Sequence, residues 1–295
     1  MAPGILAPVR SLAAFCGLVC SACNQLYGLE TTILVDSPPT AVDAAPDAPI
    51  VCPPIGTVPM FSQAPRIIIG DSCRNYTLAA EANLAVAECN GVIVEGAVDS
   101  PQLAAASIAV ESGHTLSSPR LSPDGSELFV TSLSSTDRSI RIYRRNGTQW
   151  VFAGTPTVPA VPANDQLFAS TPSRGPVRRL VVHHFTLPNV SRFDEWEHDG
   201  GDAWHLVRGY TPGDLGVTTM AQPALSDDAR RLVFIGNAGG SGAIVRYADR
   251  ADVGMSFGVA QQVDTPFTNV QYPYMTANCG RLYATGINTL VYTEQ

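Results

Sequence analysis

The chain contains no lysine: all 18 basic residues are arginine, set against 26 Asp and Glu, for a formal charge of −8. A nucleic-acid surface needs clustered positive charge to displace counterions from phosphate, so this balance argues against one. Charged residues make up only 15% and aromatics 7%, but hydrophobic residues reach 45%, and 295 residues are enough to bury a sizeable core. No apolar run of 18 or more residues follows the first thirty positions, which excludes a multi-span helical membrane protein. Gly 25 and Pro 23 fall without a three-residue period, which excludes collagen. There is no Gly-x-Ser-x-Gly elbow, no Gly-Lys-Ser phosphate loop and no closed zinc spacing. Helical periodicity is missing too, apart from Ala-rich pieces at residues 78–89 and 103–110.

What is present begins with an address. Residues 11–22, SLAAFCGLVCSA, form a short apolar run behind a single base, Arg10, which is the form of a secretory signal and too short for a membrane span. The run ends in small residues before Cys23, and this resembles the lipobox of bacterial lipoproteins, with Cys20 standing where Leu is usual. The resemblance implies that Cys23 is lipidated and becomes the mature N-terminus; a plain secretory signal cleaved nearby is the alternative. Cys16 and Cys20 follow bulky residues and read as apolar filler. Three segments are therefore expected: a signal over residues 1–22, a tether over 23–54 too rich in Pro, Ala and Asp to order itself, and a folded domain over 55–295.

The domain repeats. Residues 119–130 (PRLSPDGSELFV), 223–234 (PALSDDARRLVF) and 273–284 (PYMTANCGRLYA) each place Pro nine positions before Leu, at Leu128, Leu232 and Leu282. Residues 171–182 keep Leu180 in register with Pro172 displaced by one, and setting Leu84 on the same position gives a fifth copy starting near Asn75. Residues 140–152 and 194–207 match as strand, Asn-Gly or Asp-Gly turn, and Trp-bearing strand. A radial array of four-stranded units of this kind is a β-propeller. The register makes residues 78–89 a strand pair despite their Ala content. The segment Ser122-Pro123-Asp124-Gly125 followed by Leu128-Phe129 resembles the blade motif of TolB-like, WD-repeat-like propellers.

The last copy has 23 residues, room for three strands, so a fourth must come from elsewhere; residues 58–69 are the candidate that would close the ring. The expected fold is all-β with five blades, or six if residues 97–110 hide another.

Outside the signal and Cys23 stand Cys52, Cys73, Cys89 and Cys279, and four cysteines allow three pairings. With the first hairpin turning about Glu81, Cys73 and Cys89 lie eight residues to either side and face each other across an antiparallel pair. Cys52 is then left for Cys279, the alternative being four separate thiols.

The cluster His183, His184, Asp194, Glu195, Glu197, His198, Asp199, Asp202 and His205 has the residue types of a metal site. Residues 195–200 align with the neighbouring hairpin at 142–147, however, and a polar hairpin tip is the expected reading. Asp124, Asp228 and Asn278 recur at the turn between first and second strands, where they accept backbone amides, and Gly125 supplies a positive φ. Recurrence favours a structural role. The Arg pairs 144–145, 178–179 and 230–231 are expected on solvated faces.

These readings combine into an exported, monomeric, lipid-anchored propeller of a bacterial envelope, at its periplasmic face or the cell surface, with secretion as the alternative. No cofactor, metal or catalytic residue is expected, and the partner is an envelope protein or glycan rather than nucleic acid. The rivals are a glycoside hydrolase, which needs acids in the central channel although the strands SSPRLS, AQPALS and QYPYMT carry none, and a metal-stabilised structural domain.

Overall fold

Short alternating segments separated by polar turns form hairpins, and here they do so throughout. The computed structural model describes residues 54–294 apart from 70–71, 176, 187–189, 202, 238–243, 268, 277–278 and 287–288. Blade 1 consists of Cys73–Ala79, Leu84–Cys89, Val92–Gly96 and Ala104–Ala105. Blade 2 consists of Thr115–Leu121, Glu127–Leu133, Asp137–Asn146 and Gln149–Gly154. Blade 3 runs through Gln166–Ala169, Arg179–Thr186, Val190–Gly200 and Ala203–Tyr210. Blade 4 runs through Thr219–Leu225, Arg231–Asn237, Ile244–Asp249 and Gln261–Gln262. Blade 5 has Gln271–Met275, Arg281–Thr285 and Leu290–Glu294, and takes its outer strand, Arg66–Ile69, from the N-terminal side. That strand pairs antiparallel with the last one, Arg66 opposite Tyr292 and Ile67 opposite Val291. The first strand of every blade touches that of the next, and blade 5 returns to blade 1, so five blades close a ring. Residues 97–110 hold no sixth blade. They supply the outer strand of blade 1 and the short strand Ser107–Ile108, which pairs parallel with the outer strand of blade 2.

The core lies between the blades as five apolar clusters, one per interface. Side chains alternate across a strand, so neighbouring residues of each second strand serve opposite interfaces. Leu128, Leu180, Leu232 and Leu282 are wholly buried and face the preceding blade, whereas Phe129, Val181, Val233 and Tyr283 face the following one. Leu84 breaks this rule. It packs toward blade 2, and Ala85 occupies the slot facing blade 5. The fifth copy is thus shifted by one residue from the expected alignment, and a one-residue slip exchanges the two faces of a strand.

The disulfide nevertheless forms where expected: Cys73 and Cys89 are directly opposed and bonded. The reason is a β-bulge between Arg74 and Thr77, which shifts the hairpin centre by half a residue and offsets the misplaced Leu84. Blades 2, 4 and 5 carry the same bulge, between Ser117 and Arg120, Ala221 and Ala224, and Gln271 and Tyr274. At each bulge one residue has positive φ: Asn75 (57°), Ser118 (53°), Gln222 (56°) and Tyr272 (52°). In blades 2, 4 and 5 the next residue is the repeating proline, Pro119, Pro223 or Pro273. A bulge is one of the few sheet positions that can do without an N–H, which explains the proline repeat. Cys279 is also disulfide-bonded. Its expected partner Cys52, together with Cys23 and Asn278, lies outside the described residues.

Candidate functional site

The turn between first and second strands is built by a hydroxyl. Ser122 Oγ accepts from the Glu127 amide at 2.9 Å, Ser226 Oγ from Arg231 at 2.9 Å, and Thr276 Oγ1 from Arg281 at 3.0 Å. Blade 3 inserts one residue, and there Ser173 Oγ accepts from Arg179 at 2.8 Å. Asp124 and Asp228 brace two of these turns: Oδ1 accepts from the backbone two residues on, Ser126 or Arg230, at 3.0 Å and from the turn serine at 2.6 or 2.7 Å. Gly125 has φ +72°, and a Cβ there would stand 3.0 Å from that of Ala82. The turn that the sequence marks by its acids is held in four blades by its hydroxyl, which recurs as S, S, S and T.

The residue after the hydroxyl projects over the end of the central channel. Pro123, Arg174 and Asp227 occupy this position in blades 2, 3 and 4, and blade 1 supplies Ala80 and Glu81. Together with Tyr274, Thr276, Arg281 and Tyr283 of blade 5 they line a cavity of about 270 Å³, walled further by Leu78 and Val98, to which every blade contributes. Arg174 spans it. Its Nη1 reaches Glu81 Oε1 at 2.5 Å, its Nε lies 3.1 Å from Asp227 Oδ2, and its Nη2 donates to Pro123 O at 2.8 Å, so one guanidinium ties together the turns of four blades. On the blade 5 side Arg281 pairs with Asp99 and, at 2.7 Å, with Glu294.

Burial raises the Asp227 carboxyl to about 6 against the pull of Arg174, with Asp228 and Glu81 adding to the rise. A carboxyl that holds its proton more tightly when folded weakens the fold as pH rises from its unfolded pKa, near 4, through the folded value of about 6. Wild-type stability is therefore expected to fall relative to Asp227→Asn between pH 4 and 7, measured by urea unfolding at each pH. Parallel profiles for the two proteins would refute this assignment.

The innermost strands carry no acid, as the sequence suggested, yet acids reach the channel from the turns. Glu81, Arg174 and Asp227 were missed as a site because each looks like an ordinary turn residue. The available signal for Arg174 and Asp227 was the position they share with Pro123, one residue after the turn hydroxyl, where the repeat changes identity from blade to blade; Glu81 stands in the one turn without that hydroxyl.

The His- and acid-rich cluster does not converge. Glu195 is no hairpin tip: it is fully buried, with Arg250 Nη1 at 2.8 Å and the Tyr210 hydroxyl donating at 3.1 Å. His184 pairs with Asp194 at 3.3 Å and His205 with Asp199 at 2.7 Å, while Asp202 lies outside the described residues. Among the described residues no group of three or more His, Cys, Asp or Glu is placed to hold a metal. His183 Nε2 is 3.0 Å from Ser191 Oγ, but that hydroxyl donates to Met220 O, and burial drops the imidazole to about 3. The pair is a packed polar contact remote from the channel mouth. The Arg pairs also depart from expectation: Arg179 and Arg231 are buried and ion-paired at 2.6 Å to Glu197 and Asp249.

No protein-family model matches the chain, and no curated protein matches it in sequence. Among solved structures, a putative TolB from Agrobacterium tumefaciens is similar at 10% identity over 72% of this chain and 69% of its own, with a TM-score of 0.49. TolB from Acinetobacter baumannii follows at 12% identity over 76% and 55%, with a TM-score of 0.48, so this chain spans about half of that protein. A gluconolactonase from Xanthomonas campestris is similar at 11% identity over 84% and 97%, with a TM-score of 0.44. At such scores these neighbours decide nothing about function; the five-bladed propeller rests on the strand pairing itself.

Proposed function

We propose that this chain is an exported, lipid-anchored, monomeric propeller of a bacterial envelope that works without catalysis, holding an envelope protein or glycan at its channel mouth. The observation that supports the binding role is the cavity to which all five blades contribute, with apolar walls and a charged rim on a closed scaffold. The polar groups at this mouth are spent on one another: Arg174 is saturated by Glu81, Asp227 and Pro123 O. Such a set orients and recognises, and it presents no free nucleophile. Cys23 supplies the anchor, and the segment after it gives the ring reach from the lipid surface.

A glycan-active enzyme is the second reading, favoured by the two mouth carboxylates and by the proton affinity of Asp227 near neutrality. The test places a photo-reactive benzophenone side chain at Pro123 in cells and compares it with the same group at Val151 on the outer strand of blade 2. A discrete adduct at Pro123 alone, with acylated Cys23 at the N-terminus by mass spectrometry, is the expected result. Reducing-sugar release from envelope polysaccharide that disappears in Asp227→Asn would instead establish the enzyme. An unacylated chain would remove the anchor.

A further inference from the structure

The bulge residues with positive φ serve the junctions between blades. Asn75 Nδ2 of blade 1 donates to Ser118 Oγ of blade 2 at 3.5 Å, and Gln222 Oε1 of blade 4 accepts from the Tyr272 amide of blade 5 at 2.7 Å. Tyr272 holds the same position in blade 5 but is a different kind of residue. A left-handed backbone suits Asn and is an outlier for a bulky side chain. Core packing does not account for the ring: Tyr274, Tyr283 and Tyr292 belong to the apolar cluster between blades 5 and 1, whereas Tyr272 stands outside it, half-buried. What it meets is Arg74 of blade 1, whose guanidinium lies 5.8 Å from the ring centre.

Ring and guanidinium are part of the wall of a cleft of about 440 Å³ at this junction. The cleft lies on the face opposite the mouth. It is built where first strands begin, at Ser72 and Gln271, and where a second strand ends, at Thr285, and the mouth is built on the other ends of these strands. The polar groups of the mouth bond to one another, but those of the cleft do not. Ser72, Asn90, Asn269 and Gln271 are exposed, and their side chains make no hydrogen bond among the described residues. Backbone strain gathers here too: Ser72 (61°), Asn90 (51°) and Asn269 (53°) join Tyr272 (52°) in positive φ, and strain of this kind clusters at ligand sites. Arg74 is the one charged residue of the lining, and the buried Glu88 Oε1 accepts from its Nε at 3.0 Å and its Nη2 at 2.5 Å. Its charge is thus balanced within the wall, which leaves hydrogen bonding and ring contact to select the ligand. Amide side chains both donate and accept, as sugar hydroxyls do, and a tyrosine ring offers an apolar face to C–H groups.

We propose that this cleft between blades 5 and 1 binds a neutral sugar unit of a glycan, its C–H face against the Tyr272 ring and its hydroxyls on Asn90, Asn269 and Gln271. The volume is that of a small-ligand site. The cleft is separate from the mouth, and neither reading depends on the other.

The test is saturation-transfer NMR on the full chain with maltose, cellobiose, lactose and diacetylchitobiose, alongside thermal unfolding. Tyr272→Asn removes the ring and leaves a residue suited to the left-handed backbone. It should melt no lower than the wild type, while affinity for the bound sugar falls about tenfold. Asn269→Ala, at an exposed position, should also weaken binding without lowering the melting temperature. Absence of transfer to every one of these sugars would overturn the proposal, as would undiminished binding in Tyr272→Asn. A Tyr272→Asn chain that melts several degrees lower would assign the ring to packing and overturn it as well. Binding lost in Arg174→Ala but kept in Tyr272→Asn would move the sugar to the mouth. Galacturonate bound more tightly than galactose would show the Arg74 charge selecting the ligand, and would overturn the neutral class.

Discussion

Glu195→Ala is expected to lower the free energy of unfolding by about 3–5 kcal/mol, the range for breaking a buried ion pair by removing one partner. The carboxylate and the Arg250 side chain are both inaccessible to solvent, 2.8 Å apart, and they join blade 3 to blade 4. Arg250 would keep its bonds to Ala229 O and Met255 O and its place over the Phe257 ring, but its charge would stand in a low-dielectric interior with no opposite sign. The Tyr210 hydroxyl would lose its acceptor. Because the cost is one of imbalance, the double variant Glu195→Leu, Arg250→Met should be less destabilised than Glu195→Ala alone. Guanidinium denaturation followed by Trp196 and Trp204 fluorescence measures both. A loss under about 1 kcal/mol would mean that water reaches the pair and that it behaves as a surface contact.

That pair also marks where sequence reading stopped. Glu195 sits in a hairpin that aligns with an ordinary polar one, and nothing in local spacing distinguishes a carboxylate at a tip from one aimed at a neighbouring blade. Its partner is 55 residues away, and interblade contacts depend on the twist of each sheet and not on the repeat. What was legible is what the repeat itself carries: five copies, the Leu slots of blades 2 to 5, the closing strand and the Cys73–Cys89 pair. The one misplaced slot, Leu84, shows the limit. Blade 1 has Leu84 and Ala85 side by side, and a pattern match prefers the larger residue although packing puts the alanine there. The proline period was seen but not understood, because a bulge is a backbone irregularity that leaves proline as its only trace. The channel mouth was hidden for the opposite reason. A repeat search weights what recurs, and Pro123, Arg174 and Asp227 are informative because they differ.

Deleting everything before residue 72 removes the closing strand and should leave a chain that does not fold as a monomer. Phe61 and Ile68 are 2% and 7% exposed, and burial of each contributes about 1.5–3 kcal/mol. Further contacts go with them: the Phe61 amide to Asp264 O at 2.8 Å, the Thr293 hydroxyl to Gln63 O at 2.6 Å, and Arg231 Nη2 to Thr57 O at 3.1 Å. At about 1 kcal/mol for each hydrogen bond, the total reaches the size of a whole domain's stability. The deletion also bares Leu290–Glu294 as an open edge bearing Val291 and Tyr292, a template for pairing with a second chain. Light scattering should therefore find oligomers or aggregate, and circular dichroism should lose its cooperative transition, while Ile68→Ala remains monomeric and loses only about 2–5 kcal/mol. A synthetic peptide of residues 54–71 added in trans should restore the transition. A truncated chain that stayed monomeric and cooperative would show that the ring holds without its seam. The seam matters because the strand that completes blade 5 is the first strand of the described residues, close behind the expected tether. Tension on an anchored Cys23 would then pass straight into the Arg66–Ile69 ladder, and a bridge from Cys52 to Cys279 would carry that load past the ladder and into the blade behind it.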